Sequence, residues 1–301
     1  MRILIPTDNS TCSREAIRFV GERAKFMEEN PVVELLNVQS PIPEGAMERF
    51  GLEAVRAVYT AEGQAQLAES EKTAKRAGIA AETKVAFGEP GPSVAREADA
   101  FKADLIAMGS RGLSPAKSFF LGSVSRSVLE HTTLPVLLVR EEGLPERKNL
   151  RVTLAVDGSE YGERAAEFIA ANPGIFGPKP SVDVLSIATD YVQLAQNEVD
   201  GVAPGAARDY FVREAQNTWE HAVTPACKVL DAAGIEVKPV NRQGTPSDEI
   251  AHYAAQNADI IVMGSHGYGR FKSAVLGSTA ARVGAMTKLP IVVVRLPQDN
   301  K

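Results

Sequence analysis

Arg2-Ile3-Leu4-Ile5-Pro6-Thr7-Asp8-Asn9-Ser10 has a counterpart in Arg151-Val152-Thr153-Leu154-Ala155-Val156-Asp157-Gly158-Ser159, at an offset of 149. Each stretch is a short apolar run that stops at an aspartate, the pattern of a buried strand leading into a turn. The register persists into the next apolar run, where Glu34-Leu35-Leu36-Asn37-Val38 matches Asp183-Val184-Leu185-Ser186-Ile187. It shifts at Gly88-Glu89-Pro90 and Gly244-Thr245-Pro246, offset 156, so the second copy carries seven extra residues between its second and third strands. Asp104 to Gly112 then matches Asp259 to Gly267, and Leu134-Pro135-Val136-Leu137-Leu138-Val139-Arg140 matches Leu289-Pro290-Ile291-Val292-Val293-Val294-Arg295, both at offset 155. A shared order of motifs over so much of the chain is the mark of an internal duplication.

Between the copies, Glu141 to Asn149 is charged, contains Gly and Pro and has no apolar period, which reads as a linker. The expected domains are therefore 1–145 and 146–301. Within each, short Val/Ile/Leu runs alternate with Ala-rich helical stretches such as Ser13 to Met27, Glu62 to Ala77 and Asp209 to Ala233. That alternation implies an α/β fold, with a parallel sheet covered by helices on both faces. Two tandem five-stranded, doubly wound sheets are expected, each in the order 3-2-1-4-5. The ligand crevice then lies at the carboxyl ends of strands 1 and 4, where the winding reverses. Strand 5 is an edge in this order, yet Val136 to Val139 and Ile291 to Val294 are continuously apolar. An exposed apolar edge invites pairing, so the two fifth strands are expected to pair about an internal pseudo-two-fold.

The 301 residues are 44% hydrophobic and 24% charged, within the range of globular proteins, and a length better suited to two cores than one. A formal net charge of −5 argues against a general nucleic-acid or anionic-membrane binder. Cys12 and Cys227 fit neither a disulfide framework nor a metal-ligand pair, and a cytoplasmic home is expected. The first residues read as a strand, with no signal peptide, and no apolar run reaches the roughly 20 residues needed to span a bilayer. The four histidines show no ligand spacing.

After strand 4 each copy spells Gly-x-x-Gly, nine residues, then Gly-Ser: Gly109, Gly112, Gly122 and Ser123, then Gly264, Gly267, Gly277 and Ser278. Glycines let a ligand approach the backbone, and the Gly-Ser pairs open helical stretches at Val124 to Glu130 and Thr279 to Met286. Amides at a helix N-terminus favour an anion, so each copy is expected to cradle phosphate. Asp8 and Asp157 have a plainer reading as caps of the first helix or turn, and Ser123 and Ser278 as helix N-caps. His266, within the second loop, could meet phosphate or ribose or simply face solvent. Cys12 near a helix start could sense redox state, though a small packing residue fits better. Gly122→Asp and Gly277→Asp are expected to lose a site each without loss of the fold.

The duplicated glycine motif, the aspartate ending strand 1, the Gly-x-Pro after strand 3 and the closing Pro-Val-Leu-Leu-Val resemble the universal stress protein family in its tandem form. The resemblance implies a Rossmann-like, adenine nucleotide alpha hydrolase-like fold and a stress-response module that binds ATP, alone or with Mg²⁺. By matching position, Asp8 and Asp157 would take an adenine-side contact and Val38 and Ile187 would border the base. The glycines and serines above would hold ribose and phosphates, flanked by Arg111, Val124, His266 and Thr279. The family-like Asp157-Gly158-Ser159 becomes Asp8-Asn9-Ser10 in the first copy, a change that Asn tolerates better than most residues. The partners so implied are an adenine nucleotide, an intramolecular pseudo-dimer and a second chain, with no nucleic acid and no membrane. Two other readings stand: a slow ATPase or self-phosphorylating enzyme with Ser123 or Ser278 as acceptor, and a nucleotide-free scaffold. The chain lacks a Gly-x-x-x-x-Gly-Lys-Ser/Thr loop, which weighs against the enzyme.

Overall fold

The structure is a computed structural model that describes residues 1–110, 122–141, 147–188, 204–266 and 276–296, with backbone alone for 204–209 and 211. In the first half β1 (Arg2–Pro6), α1 (Thr11–Ala24), β2 (Val32–Gln39), α2 (Glu44–Phe50), α3 (Leu52–Arg76) and β3 (Ala81–Phe87) are followed by α4 (Pro90–Phe101), β4 (Leu105–Gly109), α5 (Ser123–His131) and β5 (Val136–Val139). The second half repeats this with β6 (Arg151–Val156), α6 (Glu160–Ala171), α7 (Pro173–Phe176), β7 (Ser181–Ala188) and α8 (Pro204–Ala232). It closes with β8 (Glu236–Gln243), α9 (Pro246–Asn257), β9 (Ile260–Gly264), α10 (Ser278–Met286) and β10 (Ile291–Val294). The helices expected over Ser13 to Met27 and Glu62 to Ala77 start earlier, at Thr11 and Leu52. In the first case the cap is Ser10, whose side chain accepts from Ser13 N.

The strands form one ten-stranded sheet in the order β3-β2-β1-β4-β5-β10-β9-β6-β7-β8. Each half has the doubly wound order 3-2-1-4-5, and all pairs within a half are parallel. The sequence offsets reappear in the register: Ile3 pairs with Leu105 in the first half, Val152 with Ile260 in the second. The fifth strands meet antiparallel, Leu137 opposite Val292 and Leu138 opposite Ile291, so neither apolar edge is exposed. Alternate strand residues feed two cores. One, under α1, α3, α6 and α8, holds Ile5, Leu137, Leu154 and Val292; the other, under α4, α5, α9 and α10, holds Leu4, Leu138, Ile261 and Val293. Both cores cross the seam between the halves.

The amino ends of the central strands are tied alike in both halves. Arg2 N donates to Asp104 Oδ2 at 2.6 Å, and Arg151 N donates to Asp259 Oδ2 at 2.9 Å, with Arg151 Nη2 on Asp259 Oδ1 at 2.8 Å. The halves differ at β2. Asp183 accepts from Tyr253 Oη at 2.7 Å, and burial together with this carboxylate pushes the Tyr253 phenol up to about 12. Its counterpart Glu34 is buried with no partner for Oε1 among the described residues, while Lys84, beside it, pairs with Glu97 at 2.7 Å. Burial holds the Glu34 carboxyl above its ordinary range, despite Lys84. A carboxyl whose pKa is raised on folding favours the folded state below its unfolded pKa, and that contribution is lost as pH rises through the folded value. Glu34→Gln should therefore stabilise the chain at pH 7 by about 1 kcal/mol, the order of one buried unsatisfied group. Denaturant titrations at pH 7 and near pH 4 check this; an advantage that does not shrink in acid rejects the cause.

Candidate functional site

The carboxyl ends of β1 and β4, and of β6 and β9, assemble the residues singled out in the sequence. After β6, Asp157 Oδ1 accepts from Ser159 N at 3.1 Å and Ser159 Oγ at 2.6 Å; after β1, Asp8 Oδ1 accepts from Ser10 N at 3.0 Å. Both aspartates thus order the turn ahead of the helix, and the caps are Ser10 and Ser159. Of the capping readings of Asp8 and Asp157, the turn is therefore the one the structure shows, and the helix cap is not. The turn needs a left-handed residue, supplied by Asn9 at φ +60° and by Gly158 at φ +84°. Asn at this point therefore preserves the turn.

Ser123 and Ser278 are the first residues of α5 and α10, and the caps are Gly122 and Gly277, with no side-chain hydrogen bond. The serines are therefore not N-caps. The first amides of each helix have no intrahelical acceptor, and in the second half Ser278, Thr279 and Ala280 line a cleft. Gly122 and Gly277 have φ of −58° and −57°, so glycine is not required there for a left-handed backbone. The reason at Gly277 is crowding by its own chain: an added Cβ would lie 2.8 Å from Ser265 O, which also accepts from Gly277 N at 2.8 Å. Gly277→Asp would thus force a local shift of the backbone at Ser265, a cost that the expectation of an unchanged fold leaves out. Gly109 and Gly264 are crowded in the same sense. A Cβ on Gly109 would lie 2.7 Å from Cys12 Cβ, and one on Gly264 would lie 2.5 Å from Tyr161 Cβ. These two glycines let the first turn of α1 or α6 close onto the strand, and Cys12 is a buried packing residue there.

In the second half the result is a cleft of about 390 Å³, of a size suited to a small ligand. Seven of the expected residues line it: Asp157, Ile187, Gly264, His266, Gly277, Ser278 and Thr279. Sequence reasoning missed its apolar floor, made by Ala155, Val156, Ile250 and Met263, with Pro246 at the start of α9. The available signal was position, because each sits near a strand end or in the first two turns of a helix beside a noted motif. His266 Nδ1 lies 3.0 Å from Ser265 Oγ, and its ring is 5.5 Å from that of Tyr161. The Gly-x-Pro turns enter α9 and α4 through Gly244 at φ +137° and Gly88 at φ +135°.

Asp8, Val38, Gly109, Gly122, Ser123 and Val124 occupy the equivalent places in the first half, at the ends of β1, β2 and β4 and the start of α5. Arg111, Gly112 and Gly267 lie outside the described residues. The first half differs behind the crevice. Thr7 Oγ1 meets Ser70 Oγ at 2.9 Å, Asn37 Nδ2 donates to Thr7 O at 2.9 Å and to Gln66 Oε1 at 2.8 Å, and Gln39 Nε2 donates to Asn37 Oδ1 at 2.7 Å. The matching positions of the second half are Val156, Ala226, Ser186, Ala222 and Ala188, mostly apolar. Among the described residues no three His, Cys, Asp or Glu side chains converge to hold a metal ion, and no helix is long and apolar enough to cross a membrane.

A doubly wound sheet with a largely apolar crevice at the start of a helix defines a Rossmann-like protein of the adenine nucleotide alpha hydrolase-like type, here duplicated in one chain. The chain belongs to the universal stress protein family, whose pattern matches residues 1–140 and again 148–295. It is 26% identical over 321 aligned positions to a universal stress protein of Mycobacterium tuberculosis, covering 99% of this chain and 96% of that one. A universal stress protein of Methanocaldococcus jannaschii is 33% identical over 141 residues, 46% of this chain and 82% of its own. Among solved structures, a universal stress protein from Archaeoglobus fulgidus superposes with a TM-score of 0.69 at 25% identity, covering 98% of both chains.

Proposed function

We propose that this universal stress protein binds ATP and acts as a regulatory module, its nucleotide state altering conformation or partner binding. The observation that supports this best is the second-half cleft, where an apolar floor runs into the uncapped start of α10. Val156, Ile187, Ile250 and Met263 would take the base, with Asp157 at the adenine side. The amides of Ser278 and Thr279 would meet phosphate, favoured by the helix dipole. Gly264, His266 and Gly277 border the path between them. Mg²⁺, if it accompanies ATP, would draw its ligands mainly from phosphate and water, as is usual for this ion. The first half would bind at Asp8, Val38, Gly109, Gly122 and Ser123. The chain is read as a binding protein rather than an enzyme, working in the cytoplasm as a pseudo-dimer that can associate further.

Freshly purified chain, denatured and analysed by chromatography, should release adenine nucleotide, up to two per chain. Absence of nucleotide, with no heat of binding on adding ATP to the intact chain, would refute the reading. Steady turnover of added ATP would favour the enzyme instead.

A further inference from the structure

The seam brings the last strand of one half against the anion-end helix of the other. Arg140 directly follows β5 and is buried, and its Nη2 donates to Gly284 O in the last turn of α10. Carbonyls there lack intrahelical partners, and a cation beside them is favoured by the helix dipole. The neighbouring carbonyl, of Val283, is taken by Thr287 N at 3.0 Å. The opposite end of α10 places Ser278 and Thr279 in the cleft. A nine-residue helix is a rod of about 13 Å, so a hold on one end sets the position of the amides at the other. Arg140 is also one residue from the backbone of the first-half motif: Val139 O accepts from Ser110 N, and Ser110 O accepts from Gly122 N, each at 2.8 Å.

We propose that Arg140 is a positioning residue for the binding site of the opposite half, so that the second-half cleft depends on a side chain of the first. This rests on the nucleotide reading for what α10 binds, whereas the hold on the helix does not. Among the described residues the link is one-sided. Arg295, the counterpart at offset 155, is equally buried, but its Nη1 has no hydrogen-bond partner among the described residues. Burial lowers its pKa against the opposing influence of Tyr161 and Glu130.

Amide exchange on the ligand-free full chain tests the hold. Arg140→Met should speed exchange across Ser278–Met286 about tenfold more than across α5, while Arg140→Lys, which keeps a donor, stays near the parent. Uniform acceleration throughout the molecule, or none in α10, overturns the proposal. Calorimetry with ATP tests the consequence in a Ser123→Asp background, which leaves the second site alone. There Arg140→Met should weaken binding about tenfold, restored to within about threefold by Arg140→Lys. In the converse Ser278→Asp background, Arg295→Met should change the first site less than about threefold. Unchanged affinity in Arg140→Met despite faster α10 exchange overturns the dependence of the site on Arg140. If the parent chain binds no ATP, the nucleotide reading fails, and the exchange experiment still decides whether Arg140 holds α10.

Discussion

A Ser278→Asp chain is expected to fold normally and to bind one ATP fewer than the parent. Ser278 is exposed and is the first residue of α10, where an acidic side chain suits the helix dipole and stabilises the helix by about 0.3–1 kcal/mol. The same carboxylate faces the place where phosphates would lie. A penalty of about 1.4 kcal/mol already means tenfold weaker binding, and like charges at contact should cost at least that. Ser123→Asp is the matched change at the start of α5, also exposed. These serines make a cleaner test than the glycines beside them, because a side chain at Gly277 collides with Ser265 O. Calorimetry on both single variants and the double, with thermal denaturation as the control for folding, gives the result. A folded double variant that binds ATP as tightly as the parent removes the helix N-termini from the site; an effect of one substitution alone leaves only one half as a binder.

Leu137→Asp should be the most damaging single change in the seam. Leu137 and Val292 face each other across the antiparallel β5 and β10 pair, and both are fully buried in a core shared by the two halves. Leu137→Ala alone should cost about 2–4 kcal/mol, from lost burial and the cavity left behind. A carboxylate there has no partner, and the cost should exceed about 4 kcal/mol. Since both cores run through the seam, the parent chain should melt in one transition, and Leu137→Asp should either unfold it or split the transition in two. A melting temperature within about 2 °C of the parent would show that β5 and β10 do not pair in solution.

The fold was legible because its determinants are local and repeated. Strand periodicity, the offsets of 149, 156 and 155 and the doubled Gly-Ser placed every central element, and the apolar fifth strands announced their own pairing. Much of the candidate site was legible for the same reason, since Asp157, Gly264 and Ser278 sit at the ends of elements that the winding brings together. The role of each glycine was not. A glycine in a sequence shows that space is needed but not what fills it. At Gly109, Gly264 and Gly277 the occupants are Cys12, Tyr161 and Ser265 of the same chain. The aspartates likewise read as caps or as ligand contacts, and only the structure shows their hydrogen bonds to Ser10 and Ser159 within the turn.

By itself the sequence determined the duplication, the strand order within each half and the strand ends at which the glycine motifs gather, because these follow from periodicity and from the handedness of βαβ units. Only the tertiary structure decided that Arg140 reaches Gly284 while Arg295 Nη1 has no partner among the described residues, that Asp183 meets Tyr253 while Glu34 Oε1 has none among them, and that Val156, Ile250 and Met263 line one cleft. Each of these depends on side chains far apart in the chain meeting at hydrogen-bond or van der Waals distance. A shift of an ångström makes or breaks such contacts, and no local pattern of residues encodes it.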